Sequence, residues 1–294
     1  MRISVVIATK DRQAYLERTL ASLQGQLAAP SFEIVVVDNG STDESKSVAE
    51  RYRGGTVPLS YVFEPNPNRG KARNRGAERA RGEYLLFCDD DVALPTGWIA
   101  AHAGAHERGC ERVVNGPILN VPSYESRPKP SLANYSGAFL CTCNASLSRR
   151  AFDAVGGFDE TFDLYGWEDT ELGVRLRQSG LRRGFAWDAY LWHIKPPGDD
   201  ALGSEIAKAI EKARMARRFV AKHPSPRARL ATGAHPLNIL RARYLLPERL
   251  IALYAGVVAG GRAPAWLEAL ARAQLLDGVY TRELVRELDA ARDG

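Results

Sequence analysis

The feature that most constrains this chain is a series of short apolar runs, the first of them rich in β-branched residues, each closing on a polar residue. Residues 3–8 (I-S-V-V-I-A), 34–37 (I-V-V-V), 59–63 (L-S-Y-V-F) and 83–88 (E-Y-L-L-F-C) are such runs. Near-continuous apolar runs of this length read as strands buried on both faces. Helical spacing fills the gaps. Leu16, Leu20 and Leu23 follow the first run. Ser41 or Thr42 can cap a helix reaching about Arg51, and a third helix runs from the loop at residues 65–70 to about Ala80. Strands alternating with helices imply βαβ crossovers, so the fold class is read as α/β, with a mostly parallel sheet flanked by helices. Ligands of such sheets bind beyond the carboxyl ends of the strands. Thr9, Asp38, Glu64 and Asp89 lie at those ends and are expected to converge on one crevice.

The second half is less regular. Its pattern predicts a helix over residues 95–108, a strand over 112–119, a proline-bearing loop over 122–130 and a strand over 138–147. A turn into a helix over 167–179 and a strand-like stretch over 181–187 follow. Pro196-Pro197-Gly198-Asp199-Asp200 is a strong break. Beyond it Ile206, Ile210, Ala213 and Val220 form an apolar stripe on a basic helix, and three further helices are expected between about residues 237 and 288. The boundary is placed near residue 200, giving a domain of 1–200 and a helical C-terminal region of 201–294.

The 45% hydrophobic and 26% charged composition argues against disorder. A formal net charge of +5 suits a small anionic ligand such as a nucleoside diphosphate and is too small and dispersed to imply nucleic acid. Cys88, Cys110, Cys141 and Cys143 form no C-x-x-C pair, so they read as free thiols in a reducing compartment rather than a zinc framework. The N-terminus lacks the features of a signal peptide, and no apolar run reaches the roughly 20 residues that span a bilayer. A soluble, cytoplasmic protein is expected. The basic helix over residues 205–222 reads either as a solvated face or as a hold on an anionic membrane surface.

Three adjacent carboxylates, Asp89, Asp90 and Asp91, follow a buried strand. They repel one another unless a cation sits among them, and hard divalent ions prefer such oxygen ligands and bridge to phosphates. A solvated acidic turn is the plainer alternative. The setting at a parallel strand end favours the metal.

In order, I-S-V-V-I-A-T-K-D-R, V-V-V-D-N-G-S-T-D, N-R-G-K-A-R-N-R-G and G-E-Y-L-L-F-C-D-D-D-V resemble the glycosyltransferases of the GT-A fold, most of all the inverting enzymes of family 2. The stretch N-A-S-L-S-R-R-A-F-D-A-V-G-G-F-D-E and the later G-W-E-D-T-E-L fit the same family. The resemblance spans about residues 3–195 and implies a donor half, 1–92, and an acceptor half, 93–200.

It also implies roles. Asp38 matches the acid that reads the donor's base or ribose, and Thr9 a nucleoside-contacting position. Arg73 is expected beside the nucleotide. Asp89 and Asp91 match the D-x-D acids, Asp91 as direct metal ligand and Asp89 toward the ribose. Asn39 and Asp90 are grouped with the donor-binding residues. Asn39 stands where many relatives carry a second Asp, and Asp90 is the variable middle position. His193 matches a histidine that completes the metal shell in several relatives, and Mn²⁺ or Mg²⁺ is the implied cofactor. Asp169 of the Glu168-Asp169 pair is the expected general base, because an attacking acceptor hydroxyl must lose its proton to a group within hydrogen-bond reach. Glu168 is the alternative base or an acceptor-orienting group. Without the resemblance, Asp169 reads as a helix N-terminal charge and His193 as an ordinary core or surface residue.

Gly157, in Gly156-Gly157-Phe158-Asp159-Glu160, either shapes the acceptor side or makes a tight turn before a packed Phe. Trp167 either stacks on a sugar or packs in a core. Lys195 and the Pro196-Pro197-Gly198 loop are candidates to close over the diphosphate. The implied partners are a UDP, GDP or dTDP sugar and a saccharide, lipid-linked or small-molecule hydroxyl. Two rival readings remain. A sugar-nucleotidyltransferase would carry a glycine-rich loop where this chain has Ala8-Thr9-Lys10-Asp11-Arg12. A catalytically silent binding domain would not need both acidic motifs intact.

Overall fold

The computed structural model describes residues 2–107, 111–196 and 202–293, so Cys110, Arg108 and the boundary near residue 200 lie outside the described residues. The chain forms two compact units, residues 1–163 with 168–197, and residues 164–167 with 198–294. That residues 164–167 group with the second unit has no signal in the sequence.

In the first unit the expected mixed α/β architecture is observed. Strands β1 (Ile3–Thr9), β2 (Phe32–Asp38), β3 (Leu59–Phe63) and β4 (Tyr84–Cys88) alternate with helices α1 (Gln13–Gln24), α2 (Ser45–Tyr52) and α3 (Arg69–Arg79). After β5 (Val92–Ala93) and α4 (Trp98–His106) come β6 (Arg112–Asn115), β7 (Ile118–Val121), β8 (Asn144–Ser148) and α5 (Arg149–Ala154). The unit ends with α6 (Glu168–Gln178), β9 (Arg182–Phe185) and β10 (Leu191–Ile194). The main sheet has the order β3-β2-β1-β4-β8-β6-β9, and a smaller sheet has the order β5-β10-β7. The first four strands pair in parallel, whereas β8 runs antiparallel to both β4 and β6.

Strand periodicity divides the core into two layers. Val5 and Ile7 of β1 and Leu86 and Cys88 of β4 face α1 and α4, meeting Leu16, Leu20, Trp98 and Ile99. Val6, Leu85 and Phe87 face the opposite layer, with Ala72 and Ala77 of α3, Leu172 and Leu176 of α6, and Phe152 and Phe158. Helix α3 lies very close to the sheet because its inner face is small. A Cβ on Gly76 would stand 2.3 Å from Val6 Cγ1.

Two expectations are corrected. The single strand over 112–119 is two strands in different sheets, broken at Gly116-Pro117. A Cβ on Gly116 would meet the Ala189 carbonyl oxygen at 1.8 Å, so the backbones cross there with no room for a side chain. The strand expected over 138–147 begins only at Asn144. Asn144 is fully buried and braces the two sheets. Its Nδ2 donates to Pro117 O (3.1 Å) and Ala189 O (2.8 Å), and its Oδ1 accepts from Trp98 Nε1 (3.0 Å).

The second unit contains α7 (Leu202–Lys222), α8 (Pro226–Thr232), α9 (Pro236–Tyr244), α10 (Glu248–Gly260) and α11 (Ala265–Asp293). Its core gathers Ala213, Ala216, Val220, Ala234 and Leu284, with Trp167 and Tyr280 against them. Helix α10 buries no residue fully, although residues 250–261 carry no charge. Among the described residues no helix is long and apolar enough to cross a membrane.

Candidate active site at the strand ends

The ends of β2, β1 and β4 lie side by side in the parallel sheet, but the Glu64 side chain departs from the expected crevice. Thr9 closes β1 and Asp38 closes β2, and the main chain links them through Asn39 N to Thr9 O (2.8 Å) and Glu64 N to Asp38 O (2.8 Å). Asp38 is buried. Its Oδ1 accepts from Ser41 N (2.7 Å) and its Oδ2 from the Tyr61 hydroxyl (2.7 Å). Burial and this bond to Asp38 raise the Tyr61 pKa, so the phenol stays protonated. Asn39 Oδ1 accepts from Asn68 N at 2.9 Å, which ties the β2 loop to the cap of α3. Glu64 turns to Lys71, 2.9 Å away across its own loop.

The acidic triplet is locked in place from behind. The Thr19 hydroxyl lies 2.7 Å from Asp90 O and 2.8 Å from Val92 O. Each carboxylate then has a distinct setting. Asp90 is buried, and its Oδ2 accepts from Thr9 Oγ1 at 2.7 Å. Burial raises its pKa to about 7, against the opposing pull of Arg12 and Thr9. Thr9 and Asp90 thus partner each other beneath the crevice. Asp91 is 1% exposed, with Arg12 Nη2 at 2.9 Å and Lys195 Nζ at 3.4 Å from its Oδ2. Burial works to raise its pKa, but His193 in its charged form, Arg12 and Lys195 outweigh it and hold the carboxyl below the ordinary carboxylate range. Asp89 is the most open of the three, its side chain 33% exposed.

Strand pairing supplies the histidine. β10 runs antiparallel to β5 with His193 opposite Val92, and Ile194 N donates to Asp91 O at 2.8 Å. His193 Nε2 then stands 3.0 Å from Asp91 Oδ1. The contact makes no hydrogen bond, so this buried carboxylate oxygen has no hydrogen-bond partner. On the other side of the ring, Nδ1 lies 3.0 Å from Asn120 Oδ1. An amide oxygen accepts, so Nδ1 carries a proton, and in the neutral ring Nε2 presents its lone pair. A lone pair facing an unpartnered buried carboxylate oxygen is the arrangement a divalent cation resolves, with Asn120 as the outer partner of the imidazole. The residues present therefore fit a metal.

The second acidic pair joins the first through Arg73, which is 8% exposed. Its guanidinium lies 3.5 Å from Asp89 Oδ1, 3.5 Å from Glu168 Oε1 and 3.8 Å from Asp169 Oδ1. Asp169 stands in the first turn of α6 and accepts from Thr142 N (2.9 Å) and Thr142 Oγ1 (2.8 Å). Burial raises its pKa to about 6. Glu168 adds to the rise, while Arg73 and Thr142 oppose it.

Gly157 has φ +67°, and a Cβ there would stand 2.7 Å from Asn74 Oδ1. That oxygen accepts from Phe158 N at 2.8 Å, so α3 holds the turn as well as Arg73. Trp167 belongs to the second unit. Its indole stacks on Phe219 at a centroid distance of 5.2 Å and donates to Lys212 O at 3.1 Å. Pro197 and Gly198 of the proposed closing loop lie outside the described residues.

Sequence reasoning missed Arg12, Tyr61, Thr142 and Asn120 as members of the site. Arg12 alone had a signal, a cation three residues past the first strand end. The others are brought in by pairing between segments far apart in the chain.

Among known proteins, the profile described as glycosyl transferase family 2 matches residues 4–156, and one described as the N-terminal domain of galactosyltransferase matches residues 129–197. The validoxylamine A glucosyltransferase of Streptomyces hygroscopicus subsp. limoneus is 31% identical over 264 residues, covering 76% of this chain and 57% of that one. The chain thus spans little more than half the length of that curated relative. Two solved structures share the fold. S. aureus TarS 1–349 in complex with UDP-GlcNAc has a TM-score of 0.59 at 20% identity, covering 100% of this chain and 92% of that one. The mannosyltransferase PcManGT from Pyrobaculum calidifontis in complex with GDP-Man and Mn²⁺ has a TM-score of 0.63 at 18% identity, covering 98% and 87%.

Proposed function

The chain belongs to glycosyl transferase family 2, and on that premise we propose that it moves a sugar from a nucleoside-diphosphate donor to an acceptor hydroxyl with inversion at the anomeric carbon. One observation carries the reading. Arg73 ties the open carboxylate of the acidic triplet to the Glu168-Asp169 pair, so the donor end and a general base share one charged frame.

Asp38 and Asn39 form the donor's base and ribose side, with Thr9 and Asp90 supporting them from below and Arg73 beside the nucleotide. Arg12 and Lys195 bring positive charge to the diphosphate. Asp91, His193 and Asp89 would hold Mn²⁺ or Mg²⁺, which when bound neutralises charge on the leaving diphosphate. A UDP, GDP or dTDP sugar is the donor class, in keeping with the UDP-GlcNAc and GDP-Man held by the two similar structures.

Asp169 takes the acceptor proton. The freed oxygen pair bonds to the anomeric carbon, the bond from that carbon to the diphosphate oxygen breaks, and its electrons leave with the nucleoside diphosphate. A base whose pKa stands near 6 is ionised at neutral pH and still basic enough to accept that proton. Glu168 orients the acceptor, and the turn at Gly157 shapes its side of the crevice. Asp169→Asn is the test. Turnover falls by about 10² to 10⁴ while nucleotide binding is kept. Unchanged turnover would remove Asp169 as the base.

The second unit suggests where the reaction occurs. Residues 198–294 hold 16 Lys and Arg against 11 Asp and Glu, an excess of +5 that equals the net charge of the whole chain. The same unit exposes Leu237, Leu240 and Tyr244 along α9, Leu253 on α10, and Trp266 and Leu270 on α11. Apolar and aromatic side chains amid basic charge fit peripheral contact with an anionic bilayer.

A further inference from the structure

We propose that Cys143 is an additional ligand of the metal site, which makes it a mixed oxygen, nitrogen and sulfur site able to take thiophilic divalent ions such as Co²⁺, Zn²⁺ and Cd²⁺. The inference rests on the metal reading above and adds a ligand to it. One ligating atom each from Asp89, Cys143 and His193 lie within 4.8 Å of one another.

The sheet explains how residues so distant in the chain meet. β4 and β8 are antiparallel with Cys88 opposite Asn144, so the next step of the ladder sets Asp89 across from Cys143. The β10–β5 register sets His193 opposite Val92, at the Asp91 end of the triplet, from where its ring reaches the neighbourhood of Asp89 and Cys143. On a tetrahedral ion with bonds of about 2.0–2.3 Å the ligand atoms stand roughly 3.3–3.8 Å apart, so side-chain adjustments of up to about 1.5 Å bring the three onto one ion.

Cys143 is buried and forms no disulfide. Sulfur is a soft ligand, so a hard ion such as Mg²⁺ leaves the thiol as a neighbour. A thiophilic ion displaces the proton, breaking the S–H bond, releasing H⁺ to solvent and forming a metal–sulfur bond. The side chains named in the family resemblance are oxygen and nitrogen donors, so the sulfur gives this chain its own metal preference.

The experiment is a Co²⁺ titration of the whole reduced protein, read as thiolate-to-cobalt charge-transfer absorption in the near ultraviolet. The expected result is a band that saturates, survives in Cys141→Ser and is lost in Cys143→Ser and Cys143→Ala. Cd²⁺ affinity, measured by calorimetry, falls at least about tenfold in both Cys143 variants, while Mn²⁺ affinity falls less. Circular dichroism checks that each variant folds, and the wild-type band is decisive without them. Saturable Co²⁺ binding without a charge-transfer band overturns the proposal and leaves the metal reading standing. A band that persists in Cys143→Ala also overturns it. Failure of any divalent ion to bind overturns both.

Discussion

Arg73 and Asp169 carry the account at the scale of single residues. Burial raises the Asp169 pKa to about 6, and the Arg73 guanidinium holds it down against that pull. The pH dependence follows in sign. The base is ionised above its pKa, so turnover is lost as pH falls through about 6. Removing Arg73 removes a charge that favours the ionised form, so Arg73→Ala moves this acid limb to higher pH. Rate profiles of the two proteins check this, and an unmoved limb would uncouple Arg73 from the base. The residues with the clearest sequence signal, Asp89, Asp91 and Asp169, are those whose local setting is itself the signal, a strand end or a helix start. Thr142 and Asn120, which orient Asp169 and His193, could not be read this way. An ordinary Thr or Asn acquires such a role only through the strand that pairs beside it.

Among the elements, α3 does the most to position the site. Asn68 caps it by accepting from Lys71 N at 2.9 Å, Arg73 projects to the acids, and Asn74 holds the Gly157 turn. The motif N-R-G-K-A-R-N-R-G therefore combines site residues with the small residues that let the helix approach the sheet. Gly76→Ala places a methyl 2.3 Å from Val6 Cγ1 and 3.1 Å from Val37 Cγ2, so the helix must lift. A loss of about 1–3 kcal/mol in denaturant unfolding is expected, with weakened nucleotide binding as Arg73 moves. Full stability in that variant would mean that the helix has slack. The first four strands were legible because each is apolar on both faces and closed by a polar end. Strands β5 and β10 were not. They are short, and β10 (L-W-H-I) carries polar residues that make sense only against β5 and β7.

For the whole molecule, the sequence showed a helical C-terminal region, but four residues of the second unit come from the middle of the chain. Trp167 is one of them, two residues before the proposed base, and it is committed to Phe219. If the basic unit meets a bilayer, the protein co-sediments with vesicles containing anionic lipid and stays free of purely zwitterionic ones. Added salt weakens the association, and replacing Leu253 and Trp266 by Ser weakens it further. Equal binding to both vesicle types would contradict the charge argument, and no binding would remove the membrane from the account.

The proposed reaction requires the strand-end crevice to hold a nucleoside diphosphate together with a divalent ion. Thermal unfolding with UDP, GDP, dTDP or CDP, with and without Mn²⁺, tests it most directly, with Asp91→Asn as control. At about 100 times its dissociation constant a ligand adds about 2.7 kcal/mol to stability, or roughly 5 °C or more in melting temperature. Such a shift is expected for one of the nucleotides, larger with Mn²⁺ than without, and losing its Mn²⁺ dependence in Asp91→Asn. No shift with any of the four nucleotides, or a shift indifferent to Mn²⁺, would contradict it.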